Sequence, residues 1–421
     1  MLKRNRLFIP ALTLLLASLA AWGYQLNNGL VVTHMRNPFS WGLYIATFAF
    51  FVGIAAGGLI VSSSVYLFNL EQLKPFTRIA SLSAFASILA AAAIILPDLG
   101  RVDRIYNLLL HPNFRSPLVW DVIVVSAYII LTFGSVYFQL LPDWRREDRG
   151  FFNGWTRKLA DEEVACLAAR WSRRVALVGL PVAILIHTIT ALIFATQASR
   201  EWWHTAILPP DFIAVAVASG TALVLVVSLV VAGRERFDRH AGAYQTLAWI
   251  AAGALAVHFF FVAMDLLLSW WWGSHASLGT LTLLFKRYGP LYLAEIVLPA
   301  LVMVYFFTGR GVRAPGNLLL GCTLLFIGVF VHRLMLMFPA FNQFPLSLDL
   351  PGMGVEGWPY PVAVGVFRAG APVFASSWPY VPSIAETLVD LLPFGLVLLI
   401  IALMVSTYNF LPPQRSLPDK E

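Results

Sequence analysis

Ten stretches of this chain are apolar for long enough to cross a lipid bilayer at roughly 20 residues each, and that single property excludes most folds. They lie near 7–24, 39–69, 77–97, 117–141, 174–198, 209–232, 243–271, 287–308, 316–339 and 384–411. In hydrocarbon every backbone N–H and C=O must find its partner inside the segment, so runs of this length form helices. The predicted fold class is all-α: a polytopic membrane protein of about ten transmembrane helices. Composition closes the alternative, because a chain with 59% hydrophobic and 12% charged residues has too little polar surface to cover a soluble core.

The net charge of +7 is then a matter of topology rather than a footprint for nucleic acid, and no nucleic-acid partner is expected. Basic residues gather in alternate loops: Lys3, Arg4 and Arg6, then Lys74 and Arg78, then Arg145 to Arg174, then Arg234, Arg236 and Arg239, then Arg310 and Arg313. Under the positive-inside rule this places both termini in the cytoplasm of a bacterial inner-membrane protein. The opening MLKRNR before LFIPALTLLLASLAAWG fits a cleavable leader or an uncleaved anchor, and an anchor is the expectation. Only Cys166 and Cys322 occur, without CxxC or CxxCH, so the protein is expected to hold no iron–sulfur cluster, no c-type haem and no metal centre.

Against that apolar background, DLGRVDRIYNLLLHPNFRSPLVWD at 98–121 concentrates Asp98, Arg101, Asp103, Arg104, His111, Arg115 and Asp121 in one outer connection and two helix ends. An ionisable side chain at the hydrocarbon boundary is costly and marks a functional candidate. Asp98, after Pro97, is predicted to pair with Arg101 at the helix end. Asp121 doubles as a first-turn acid favoured by the helix dipole. Arg101, Arg104 and Arg368 sit on the side that basic residues avoid, which suggests a docked partner. The segment 340–383, rich in Pro, Gly and aromatic residues, reads as an ordered cap, a docking surface or an interfacial aromatic belt.

The sequence also reads as duplicated. SPLVWD at 116–121 resembles GPLYLAE at 289–295, LIHTITALIFA at 185–195 resembles FVHRLMLMFPA at 330–340, and LPDL at 96–99 resembles AMDL at 263–266. These pair Asp121 with Glu295, His187 with His332 and Asp98 with Asp265. Gly53 and Gly57 in one helix correspond to Ala214, Ala218 and Gly220 in another, small residues suited to close helix contact. The expected plan is two four-helix bundles in parallel repeat: residues 1–38 an anchor helix and loop, 39–199 the first bundle, 200–340 the second, 341–383 an outer loop, and 384–421 a last helix and tail.

Two facing histidines could ligate a b-type haem, but His187 and His332 fall in different bundles on this plan, and no haem is expected. His258 and Asp265, seven apart on one helix, share a face. Together His187, His258, Asp265, Glu295, His332 and Asp121 compose either a hydrogen-bonded proton route or simple helix-to-helix glue. Arg333, buried in an apolar helix, requires an anion, a carbonyl or a headgroup partner.

NPFSWGLYIATFAFFVGIAAGGLIVSS at 37–63, followed by DLGRVDR, HPNFRSPLVWD and HTITALIFA, resembles the NrfD/PsrC family of integral membrane quinone-interacting subunits. With ten helices it is similar to the branch that includes the membrane subunit of the periplasmic-cytochrome-linked menaquinone reductase complex. The resemblance implies a menaquinone or related quinone as bound substrate near the periplasmic face, with Tyr44, His111, Arg115, Trp120 and Asp121 around it. It also implies a ferredoxin-like iron–sulfur subunit on that face, with molybdopterin-type or multihaem cytochrome c subunits beyond. On this expectation Asp121→Asn abolishes quinone-coupled turnover. The first core helix departs from the polysulfide reductase branch, showing Tyr44, Thr47 and Ala49 where that branch offers Asn and His. A quinol-oxidising subunit, a secondary transporter with a midplane acid and histidine site, and a plain membrane anchor are the competing readings.

Overall fold

In the computed structural model of this protein, residues 2–146, 154–273, 275–342, 347–350, 355–359, 362–365, 373–375 and 378–407 are described. Ten helices are long and apolar enough to cross a membrane. They are α1 (Leu2–Asn28), α2 (Leu43–Phe68), α3 (Thr77–Asp98), α4 (Pro117–Arg146), α5 (Asp161–Ala195), α6 (Leu208–Arg239), α7 (Ala241–Trp272), α8 (Gly289–Phe307), α9 (Pro315–Asn342) and α10 (Leu392–Thr407). The tenth span, Ile384–Val405, is made of a short helix, Ile384–Asp390, running into α10. Alternating passage puts the connections 29–42, 99–116, 196–207, 273–288 and 343–383 on one face, termed outer below. The protein is an all-α polytopic membrane protein.

Helices α2 to α5 close on themselves, α2 packing on α3 and α5, and α4 on the same two. Helices α6 to α9 repeat the pattern, α6 on α7 and α9, and α8 on the same two. The groups meet mainly through α2 and α6. There the backbones touch: a methyl group on Gly57 would stand 2.1 Å from the Ala216 carbonyl oxygen, and one on Gly220 2.4 Å from the Gly57 Cα. In lipid, where apolar burial gives no preference for one helix neighbour over another, close backbone approach is what holds helices together. Helices α1 and α10 pack on each other, and α10 also lies along α3, so both flanking helices cover the same side of the first group.

Two local features go beyond the sequence reading. The expected start of the fifth span is near residue 174, yet α5 begins at Asp161. Asp161, Glu162 and Glu163 occupy its first turn, where the helix dipole favours acids, so the helix projects past the membrane carrying its arginines. On the outer face a twelve-residue helix, His275–Lys286, joins α7 to α8. The long outer segment carries two short antiparallel ladders, Ser347–Leu350 with Val355–Pro359 and Val362–Ala363 with Phe374–Ala375.

Candidate functional site

Four buried side chains from α6 to α9 form one alternating run. Glu295 Oε1 lies 2.6 Å from His332 Nδ1, and Asp211 Oδ1 lies 2.6 Å from His258 Nδ1. His332 Nε2 links the pairs, 3.5 Å from Asp211 Oδ2 and short of hydrogen-bond geometry. The two imidazoles stand edge to face with centroids 5.1 Å apart. Local sequence explains the placement. Pro209 and Pro210 start α6 where helix N–H groups have no partner anyway. Asp211 follows in the first turn, where the dipole accommodates its charge.

Asp211, His332 and Glu295 line a pocket of about 570 Å3, counted out to its open mouth, whereas His258 sits behind Asp211. Its walls include Trp202, Phe261, Leu266, Tyr292 and Leu336, aromatic and apolar surfaces suited to a flat ring. Asp265 lines it too, accepting a 3.0 Å hydrogen bond from Thr205 of the outer connection 196–207. The pocket therefore lies toward the outer ends of α6 to α9.

Beside this run, Arg333 is fully buried and its guanidinium carbon stands 3.9 Å from the centroid of the Phe212 ring. Its three guanidinium nitrogens make no hydrogen bond among the described residues. A cation over a ring face gains electrostatic attraction, and Asp211 and Glu295 are close enough to feel its charge. The expected anion or carbonyl partner is thus replaced by a ring and two carboxylates at a distance.

Of the expected proton-route residues, the structure gathers His258, Glu295 and His332, with Asp265 on the same pocket wall. His187 is buried in α5, and neither of its ring nitrogens has a hydrogen-bond partner among the described residues. Asp121 is buried in α4 and accepts a 2.6 Å hydrogen bond from Thr190 of α5. None of the other residues expected around the quinone is hydrogen-bonded to Asp121 among the described residues. Tyr44 is buried and donates to Gln25 of α1 at 2.6 Å. Trp120 is 38% exposed and donates to the Phe114 carbonyl at 2.7 Å. His111 and Arg115 are exposed on the outer surface.

The expected Asp98–Arg101 pair is corrected. Arg101 forks onto Asp103 at 2.9 and 2.8 Å, both exposed, because the turn after Gly100, at φ 65°, carries the arginine away from the helix end. That contact holds the Asp103 carboxyl below the usual range. Asp98 Oδ1 is left buried without a partner among the described residues. Arg104 is exposed nearby, and Arg368 lies outside the described residues.

Two groups escape the sequence reading. Asp211 does so because an acid after LPP at a helix start looks like an ordinary first-turn residue; its signal is the pairing with a histidine on the next helix. The other is an acidic layer from the last span. Asp390 accepts from Thr47 at 2.8 Å, and Glu386 accepts from the Tyr380 hydroxyl and, at 3.2 Å, from the His34 amide. Burial pushes the Tyr380 phenol well up, with Glu386 adding to the rise. Glu386 thereby ties the 29–42 connection to the segment leading into α10.

Comparison with known proteins agrees with this architecture. A family model described as polysulphide reductase, NrfD, matches residues 31–345. A putative dimethyl sulfoxide reductase membrane subunit of Halobacterium salinarum is 30% identical over 421 residues, covering 96% of this chain and 91% of that protein. The Hdr-like menaquinol oxidoreductase integral membrane subunit of Archaeoglobus fulgidus is 30% identical over 258 residues, 61% of this chain and 59% of its own. One of the polypeptides of the polysulfide reductase of Wolinella succinogenes is 26% identical over 211 residues, 49% of this chain and 63% of its own. These relatives are membrane subunits of reductase complexes, and the protein, matched by the family model across most of its length, belongs to the NrfD family.

Proposed function

We propose that this protein is the quinone-reactive membrane subunit of a multi-subunit respiratory oxidoreductase, and that the pocket between α6 and α9 receives the quinone headgroup. The observation that carries the proposal is the run Glu295, His332, Asp211, His258, three of whose members line a pocket walled by aromatic and apolar side chains. A quinone takes up two protons with two electrons and releases both when its quinol is oxidised, so a site buried in lipid needs protonatable groups at the ring. An imidazole takes a proton at one nitrogen while giving up another, and a neighbouring carboxylate steadies the charged form. Here each imidazole has its own carboxylate, and His332 faces two.

Mass balance assigns the roles. Asp211 and His332, on the pocket lining, exchange protons with the ring oxygens; His258, behind them, passes protons on or stores them. Trp202, Tyr292 and Leu336 exclude water and hold the ring, while Thr205 fixes Asp265 at the outer rim. Electrons are exchanged with an iron–sulfur subunit docked on the outer face, where 99–116 offers Arg101 and Arg104, and where molybdopterin-type or multihaem cytochrome subunits complete the path. One site serves quinone reduction and quinol oxidation alike, and a menaquinone-type ring suits the name carried by the Archaeoglobus relative.

A transporter would work through broken helices around its site. The break in α6 is at Gly233, φ 69°, at the end opposite Asp211. The test is to purify the assembled complex carrying Asp211→Asn or His332→Gln and follow quinone-coupled turnover and binding of a quinone-site inhibitor. Turnover should collapse with assembly intact; unchanged turnover in both variants removes the pocket from the mechanism.

A further inference from the structure

The same cluster has the makings of a cation site. One ligand atom each from Asp211, His258 and His332 falls within 4.8 Å of the other two. His332 Nδ1 is engaged by Glu295 at 2.6 Å, which leaves Nε2 buried and without a hydrogen-bond partner, directed toward Asp211. A carboxylate behind one imidazole nitrogen, with the other nitrogen free, is the arrangement by which proteins orient a histidine toward a metal. Two nitrogens and one carboxylate oxygen suit a borderline divalent ion of the Zn2+ kind better than Mg2+ or Ca2+, which prefer oxygen throughout. Donors around such an ion stand about 3.3 Å apart for bonds of about 2.0 Å, within reach of small side-chain rotations. The pocket supplies the open position that three protein ligands leave.

We propose that Asp211, His258 and His332 form a Zn2+-class binding site, and that metal occupancy and proton transfer at this cluster exclude one another. The ion occupies the same nitrogen and oxygen atoms that would exchange protons; any proton on a ligating atom leaves to solvent on binding, and no oxidation or reduction is involved. The binding half of this inference stands on geometry alone, whereas the inhibitory half rests on the quinone reading above.

The experiment separates the two halves. The intact purified complex, stripped with chelator, is equilibrated with Zn2+ alone and analysed for metal content and by zinc X-ray absorption. In parallel, turnover is measured with and without Zn2+. A single tight equivalent with a mixed imidazole and oxygen shell is expected, lost in Asp211→Asn and in His258→Gln. Glu295→Gln, which removes only the carboxylate behind His332, should weaken binding roughly 10–100-fold. Asp98→Asn, a buried acid at the end of α3, should leave uptake unchanged. Uptake that survives both Asp211→Asn and His258→Gln means surface histidines hold the ion and overturns the site. Tight uptake lost in those variants, but with turnover of the unaltered complex unaffected by Zn2+, overturns mutual exclusion while leaving the site standing.

Discussion

The two halves of the membrane domain carry an acid and a histidine at corresponding places and use them differently. In α8 and α9, Glu295 meets His332 directly at 2.6 Å. In α4 and α5, Asp121 takes the hydroxyl of Thr190, three residues along from His187, also at 2.6 Å, and the imidazole has no side-chain partner among the described residues. A third helix explains the divergence. Helix α6 brings Asp211 to the second pair, whereas α2, from Leu43 to Phe68, contains no acid at all. An imidazole with a carboxylate at each nitrogen has groups that can balance a proton inside a membrane, whereas one without a carboxylate partner has none. The second half thus joins the acid and the histidine that the first half keeps apart.

The strongest test of this contrast sets Asp211→Asn against Asp121→Asn. The first should lower quinone-coupled turnover of the purified complex by about 10²–10⁴-fold, the range general acid–base groups contribute, and the second should stay within a few-fold of the unaltered protein. The opposite ranking would move the headgroup to the first half, where the family resemblance alone would put it. Next in size, Gly57→Ala forces a methyl against the Ala216 carbonyl and should cost about 1–3 kcal/mol in detergent unfolding assays. Gly53→Ala, whose nearest neighbour would be 3.8 Å away, should be neutral or stabilising, so equal losses at both positions would refute close contact at Gly57 as the junction of the halves.

Thr190→Val leaves Asp121 buried with its hydroxyl partner removed and should destabilise by about 1–3 kcal/mol with little change in turnover per folded complex. A turnover defect larger than the loss of folded protein would show that Asp121 takes part in the chemistry. The smallest effect is expected from Arg101→Ala, since its exposed pair with Asp103 adds little to stability. Its consequence should be an assembly that dissociates at lower salt while inhibitor affinity at the pocket is unchanged; a shift in that affinity would tie the 99–116 connection to the ring site.

What is legible in the sequence follows from local rules. Length and hydropathy locate ten spans because the bilayer imposes both, and Gly57 and Gly220 stand out because small residues in apolar helices have few other uses. Helix ends are less readable: DEEVACLAARWSRR mixes charge and apolar residues in a way that suits a loop or a protruding helix equally, and only the acidic first turn of α5 favours the latter. Asp98 misleads because proximity in sequence suggests Arg101, while backbone direction at Gly100 gives that arginine to Asp103. The Asp211–His258 pair is out of reach, since it depends on which face of α6 turns to α7. The Glu386 and Asp390 layer is hidden for a different reason: the last span lies outside the two groups of four helices, so the motif comparison between them does not reach either acid.

The bare-backbone crossing of α2 and α6 also sets the kind of work the molecule can do. Helices seated atom against atom at Gly57 and Gly220 have no layer of side chains between them to slide over, which favours a junction that moves as one piece. Under the proposed function, what travels through such a frame is smaller than any solute a carrier lifts across: hydrogen nuclei handed between side chains, and charge tunnelling in from a neighbour.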